Sequence, residues 1–126
     1  MQKTILLVDD QLDVRRILAR MLGSLGYAVI VASSGAEALE LDRTHTDTIH
    51  VLLTDLEMPG MDGRELASAL QRRRPGMGVL YLSGHIDDLD DNARRNPQHR
   101  DFLMKPVTLQ ELSSSIARLI EGMPTA

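Results

Sequence analysis

The chain has no cysteine and no tryptophan, and only 1 phenylalanine and 2 tyrosines. Without thiols there are no disulfides, no thiolate metal sites and no cysteine redox chemistry. With so few rings, base stacking on single-stranded nucleic acid has little to work with. Long apolar runs are missing as well. The longest spans residues 27–32, far short of the roughly 18 residues needed to cross a bilayer. No basic stretch followed by an apolar one opens the chain, so neither a signal peptide nor a membrane segment is expected, and a cytoplasmic setting is the simplest expectation. The formal charge of −4 argues against direct nucleic-acid binding, which usually needs a basic face. Two basic clusters, Arg72-Arg73-Arg74 and Arg94-Arg95, read as solvated helix ends, where cations suit the helix dipole.

What is present is the ordinary balance of a globular protein, 43% hydrophobic and 25% charged residues. A chain of 126 residues is about the size of one domain, so residues 1–126 are expected to form a single one. Short apolar runs alternate with stretches of helical period. Residues 5–8, 28–32, 49–54, 79–82 and 101–104 read as strands, being too short for helices and rich in strand formers. Between them, Leu12, Val14, Ile17, Leu18, Met21, Leu22 and Leu25 recur at helical spacing before Gly26. Ser34 with Glu37, Asp62 with Glu65, and Thr108 with Glu111 have capping-box spacing. The second of these helices is expected to reach Arg74, where Pro75-Gly76 ends it. Residues 86–98 carry few apolar positions, an acidic run and Pro97, which predicts a short or mobile fourth helix. Strands alternating with helices predict an α/β fold, a doubly wound five-stranded parallel sheet with helices on both faces.

The chemistry collects at strand ends. The first run ends in Asp9-Asp10, the third in Asp55, the fourth in Ser83 and the fifth in Lys105. In a parallel sheet these ends share one edge, where such folds bind ligands. Clustered carboxylates repel one another and raise each other's pKa unless a cation joins them. A hard divalent ion does so, and Mg²⁺ favours carboxylates together with phosphate oxygens. The expected ligand is therefore a phosphorylated species with Mg²⁺, with a carboxylate as nucleophile giving an acyl phosphate. A lysine and a hydroxyl would neutralise the phosphoryl oxygens.

Four segments, Val8-Asp9-Asp10, Thr54-Asp55-Leu56-Glu57-Met58-Pro59-Gly60-Met61-Asp62-Gly63, Leu82-Ser83-Gly84 and Phe102-Leu103-Met104-Lys105-Pro106, resemble the response-regulator receiver family in order and separation. The resemblance covers essentially the whole chain. It implies strand order 2-1-3-4-5 in a three-layer flavodoxin- and CheY-like sandwich. It implies that Asp55 is the phosphoacceptor and, with Asp10, a Mg²⁺ ligand. Asp9 would hold the ion through water, and the Glu57 backbone carbonyl would be a further ligand. Ser83 would hydrogen-bond the phosphoryl group and Lys105 would pair with it. Ser83 and Phe102 would form the conformational switch, although Phe102 offers no hydroxyl to an output contact. Glu57, Gly84 and His85 would flank the site and tune the attacking water, and the Lys105-Pro106 bond would be cis. The fourth helical stretch, fifth strand and last helix would be the signalling face.

The partners so implied are a histidine kinase or histidine phosphotransfer protein upstream, and a protein target or an output domain in the parent chain downstream. Residues 81–88 resemble receivers of hybrid histidine kinases, so a hybrid-kinase receiver and a free single-domain regulator are both expected settings. Two rival readings remain. One is a Mg²⁺-dependent phosphohydrolase with an aspartyl nucleophile, for which Glu57 holds the +2 acid position but Pro59 follows and no cap sequence remains. The other is a degenerate receiver that serves only as an interaction module. His45, His50, His85 and His99 lack metal-ligand spacing and read as structural or surface residues.

Overall fold

The computed structural model describes residues 2–84 and 100–122. Strands β1 (Thr4–Val8), β2 (Ala28–Ala32), β3 (Val51–Asp55), β4 (Gly78–Ser83) and β5 (Arg100–Met104) alternate with helices α1 (Leu12–Ser24), α2 (Gly35–Thr44) and α3 (Gly63–Arg73). Helix α4 (Leu109–Glu121) follows β5. All pairings are parallel, in the order β2-β1-β3-β4-β5, which is the expected doubly wound sheet.

Alternation along the strands divides the core in two. Leu6, Val8, Leu52, Val79 and Tyr81 pack with Ala38 of α2 and with Leu66, Ala67 and Leu70 of α3. Ile5, Leu7, Val51, Leu53, Leu80 and Leu82 face the other way, onto Leu18 and Leu22 of α1 and Leu112, Ile116 and Leu119 of α4. Burial on both faces explains why these strands read as continuous apolar runs. Truncating one such residue, for instance Leu52→Ala, costs about 2–5 kcal/mol.

The capping boxes expected at Asp62/Glu65 and Thr108/Glu111 both form, and losing such a cap costs about 1 kcal/mol. The one expected at Ser34/Glu37 is only half formed. The Ser34 hydroxyl accepts the Glu37 N–H at 3.1 Å, but the Glu37 carboxylate takes the N–H of Ser33 at 2.8 Å. Ser34 has φ −156°, against −78° at Asp62 and −88° at Thr108. That rotation about the N–Cα bond turns its own amide out of reach.

Boundaries shift where side chains intervene. His50 stays outside β3: its N–H donates to the Thr4 carbonyl at 2.9 Å, while its Nδ1 accepts the Thr4 N–H at 3.0 Å. This histidine is structural, as expected. Arg74 leaves α3 one residue before the expected end, at φ −131° and ψ 74°. Its Nε lies 2.5 Å from Asp42 Oδ1, and the Arg73 Nε lies 2.7 Å from Asp42 Oδ2. Arg74 also donates to the carbonyls of Asp47 and His45 at 2.8 and 2.7 Å. The reading of Arg72-Arg73-Arg74 as a solvated helix end holds for the exposed Arg72 and is corrected for Arg73 and Arg74. Two of the three lock α3 onto the wholly buried carboxylate of Asp42 on α2. Arg94-Arg95 and the fourth helical stretch lie outside the described residues. Among those described, no helix is long and apolar enough to cross a membrane.

Candidate functional site

Because the strands are parallel, the residues just after β1 and at the ends of β3 and β4 line up along one edge, joined by Lys105 after β5. Asp9 is fully buried, Asp55 and Ser83 nearly so, and Asp10 is exposed. Each aspartate offers a carboxylate oxygen, and the three atoms lie within 4.8 Å of one another. Lys105 Nζ sits between two of them, 3.1 Å from Asp55 Oδ2 and 3.2 Å from Asp9 Oδ2. Its backbone is placed by β4, since the Lys105 N–H donates to the Ser83 carbonyl at 2.8 Å. The Lys105-Pro106 bond is cis, as expected. Backbone amides hold the remaining oxygens. Gln11 N–H donates to Asp9 Oδ1 at 2.9 Å and Glu57 N–H to Asp55 Oδ1 at 3.3 Å. A cleft of about 270 Å³ opens above, lined by Asp10, Gln11, Asp55, Glu57, Gly84 and Lys105.

The charges do not balance. Among the described residues, one ammonium is in ion-pair contact with this three-carboxylate group. Burial pushes the Asp55 carboxyl up, the neighbouring Asp9 charge adds to this, and Lys105 only partly offsets it. Burial alone would lower Lys105, but Asp55 and Asp9 together hold its ammonium above the ordinary lysine range. One cation shared between two acids gains from both, while each acid receives only a share. The donors are all oxygens and one sign of charge is in excess, so the site fits a hard divalent cation.

Three supports were not visible in the sequence. Gly63 opens α3 directly beneath the phosphoacceptor candidate, donating its N–H to the Leu56 carbonyl at 2.9 Å. A Cβ there would lie 2.3 Å from the Asp55 carbonyl oxygen, so only glycine lets the helix approach. A glycine in a helix's first turn is a local cost, and that was the available signal. Arg15 on α1 donates from Nη1 to the Asp9 carbonyl at 2.8 Å, and the Thr54 hydroxyl donates to the Asp55 carbonyl at 3.0 Å. Neither has a sequence signature: the Arg15 bond depends on how α1 packs beside the end of β1, and the Thr54 bond on the rotamer of a hydroxyl beside its own neighbour's carbonyl.

Of the expected site residues, Asp10, Asp55, Gly84 and Lys105 line the cleft with Glu57 as an exposed wall, Asp9 joins the carboxylate cluster and Lys105, and Ser83 is tied to Lys105 through its backbone carbonyl. Phe102 does not line it. That ring packs into the core shared with α2 and α3, stacked on Tyr81 with centroids 4.9 Å apart. His85 lies outside the described residues.

The profile of the response regulator receiver domain matches residues 5–117. The chain belongs to that family. Receivers are signalling domains of two-component systems, and the relatives include a sensor kinase, transcriptional regulators and a receiver protein of about this chain's length. The chain is 35% identical over 120 residues to the sensor kinase CckA of Brucella abortus, covering 94% of itself but 12% of that protein. It is 33% identical over 118 residues to the response regulator receiver protein CpdR of the same organism, covering 94% of itself and 97% of CpdR. A response regulator receiver domain protein from Clostridium thermocellum has a crystal structure that superposes with a TM-score of 0.83, at 32% identity and 94% coverage of both chains.

Proposed function

We propose that this receiver accepts a phosphoryl group on Asp55, in a Mg²⁺-dependent reaction, from a phosphohistidine of a histidine kinase or histidine phosphotransfer protein. The observation that carries the reading is the charge deficit at the strand edge: among the described residues, three convergent carboxylates meet one lysine, which pairs with two of them. Asp55 is the nucleophile because its carboxylate ends the central strand β3 and forms part of the cleft wall. An oxygen of Asp55 attacks phosphorus, the P–N bond to the donor imidazole breaks, and an acyl phosphate remains. Asp9, Asp10, Asp55 and the Glu57 backbone carbonyl would hold Mg²⁺, which supplies charge neutralisation for the phosphoryl oxygens. Lys105, released from its bond to the free carboxylate, pairs with a phosphoryl oxygen, and the Ser83 hydroxyl donates to another. Glu57, Gly84 and His85 are the positions assigned to tuning the water that ends the state.

An apolar groove of about 390 Å³, lined by Val14, Ile17, Leu18, Met21, Pro106 and Val107 among others, also has Lys105 in its wall. Ile17 is 60% exposed there, which suits an apolar helical face of the donor. Phosphorylation then moves Ser83 and Phe102, and the change is read by a target or by an output domain in the parent protein.

The test is intact-protein mass after incubation with acetyl phosphate. The expected result is a gain of one phosphoryl group per chain, lost with a chelator and lost in Asp55→Asn. The rival phosphohydrolase would instead release inorganic phosphate continuously from small phosphomonoesters without holding a stoichiometric adduct. An interaction module would neither gain mass nor bind beryllium fluoride with Mg²⁺.

A further inference from the structure

Tyr81 stands in the middle of β4, 1% exposed, with Thr54 and Phe102 as its register partners on the adjacent strands. Its ring stacks on Phe102 at a centroid distance of 4.9 Å and an interplanar angle of 30°. Its hydroxyl is buried and has no hydrogen-bond partner among the described residues. Buried hydroxyls are almost always partnered, because a dry one forfeits the bonds it made to water. The period of two along a strand puts residues 81 and 83 on one face of β4. Tyr81 is therefore one step behind the Ser83 hydroxyl and in face contact with Phe102.

We propose that Tyr81 is a positioning residue of the phosphorylation response, moving with Phe102 as a stacked pair and gaining a partner for its hydroxyl in the phosphorylated state. This rests on the receiver reading above. Close-packed interiors leave no free volume for one ring to move inward while its stacking neighbour stays. A displacement of Phe102 thus requires a displacement of Tyr81. The orphan hydroxyl sets the direction, since any arrangement that hydrates or bonds it gains relative to the resting one. Phe102 has no polar atom, so Tyr81 is the member of the pair that can give the rearranged surface a hydrogen bond.

The Tyr27→Phe background leaves Tyr81 as the sole tyrosine in a chain without tryptophan, and 3-fluorotyrosine then reports on it alone by ¹⁹F NMR. With Mg²⁺ and beryllium fluoride, the same spectrum reports fluoride bound at the site. Bound-fluoride signals together with a shifted Tyr81 resonance, both absent in Asp55→Asn, are expected. Bound fluoride with an unmoved Tyr81 would overturn the proposal and leave the receiver reading standing. No bound fluoride would remove the phosphoacceptor reading and the proposal with it. Tyr81→Phe keeps the ring and drops the hydroxyl. It is expected to weaken apparent beryllium fluoride affinity about fivefold, the worth of one net hydrogen bond. Unchanged affinity with only a raised urea midpoint would make the hydroxyl a packing feature and overturn its assigned role.

Discussion

Asp42 and Asp55 are both buried carboxylates, and they lie at opposite edges of one sheet. Helix α2 runs back against the strands, so Asp42 in its last turn sits at the edge where strands begin, while Asp55 ends β3. Asp42 meets two guanidinium groups, from Arg73 and Arg74, and Arg74 also closes carbonyls of the loop that follows. Asp55 shares one ammonium with Asp9, and among the described residues no cation pairs with Asp10 beside them. A structural carboxylate is surrounded until its charge is matched. A reactive one is left short of positive charge, so that a cation and an incoming phosphoryl group complete it.

Breaking each edge in turn separates the two roles. Asp55→Asn is expected to abolish phosphoryl uptake by intact mass while leaving the fold in place. Asp42→Asn is expected to do the reverse, lowering stability in urea by about 3 kcal/mol, the lower end for a broken buried pair because Arg74 keeps its carbonyl acceptors. Its phosphoryl uptake should persist wherever the protein is folded.

Gly63→Ala sharpens the contrast by acting on backbone alone. The added Cβ meets the Asp55 carbonyl oxygen, so stability should fall by about 1–3 kcal/mol. Displacement of the nucleophile should slow uptake from acetyl phosphate about tenfold or more. Lys105→Met removes the one cation that, among the described residues, is paired with these carboxylates. Titration calorimetry should then find Mg²⁺ bound several-fold more tightly, although uptake is impaired.

The smallest expected effect lies at the structural edge. Burial and then Lys3 hold His50 below its ordinary pKa, and its neutral Nδ1 accepts the Thr4 N–H. A depressed folded-state pKa favours the neutral ring. The stabilisation is complete above the unfolded value near 6.5 and is lost as pH falls through the folded value. The urea midpoint should drop between pH 7.5 and 5.5, and by less in His50→Gln. An equal drop in both would assign the effect elsewhere.

Much of this was legible in the residues. Strand β2 falls where its run of β-branched residues predicts it, and two of three capping boxes close as their spacing demands. The site was legible because a parallel sheet collects strand ends, so Asp9, Asp10, Asp55, Ser83 and Lys105 were placed together by topology alone. What stayed hidden depends on approach between distant elements. Nothing near Arg74 in sequence points to Asp42, and Gly63 looks like a poor helix residue until the Asp55 carbonyl is seen against it. Tyr81 reads as an ordinary core aromatic until Phe102 is found on its face. The half-formed cap at Ser34 failed on a single dihedral angle that spacing does not encode.

The most direct test is to locate the adduct chemically. Protein treated with acetyl phosphate and Mg²⁺ is reduced with borohydride, which converts an aspartyl phosphate to homoserine, and then mapped by peptide mass spectrometry. The expected result is homoserine at position 55 and nowhere else. Homoserine at position 9 or 10, or a phosphoryl mass gain with no homoserine at all, would contradict the assignment of Asp55 as the acceptor.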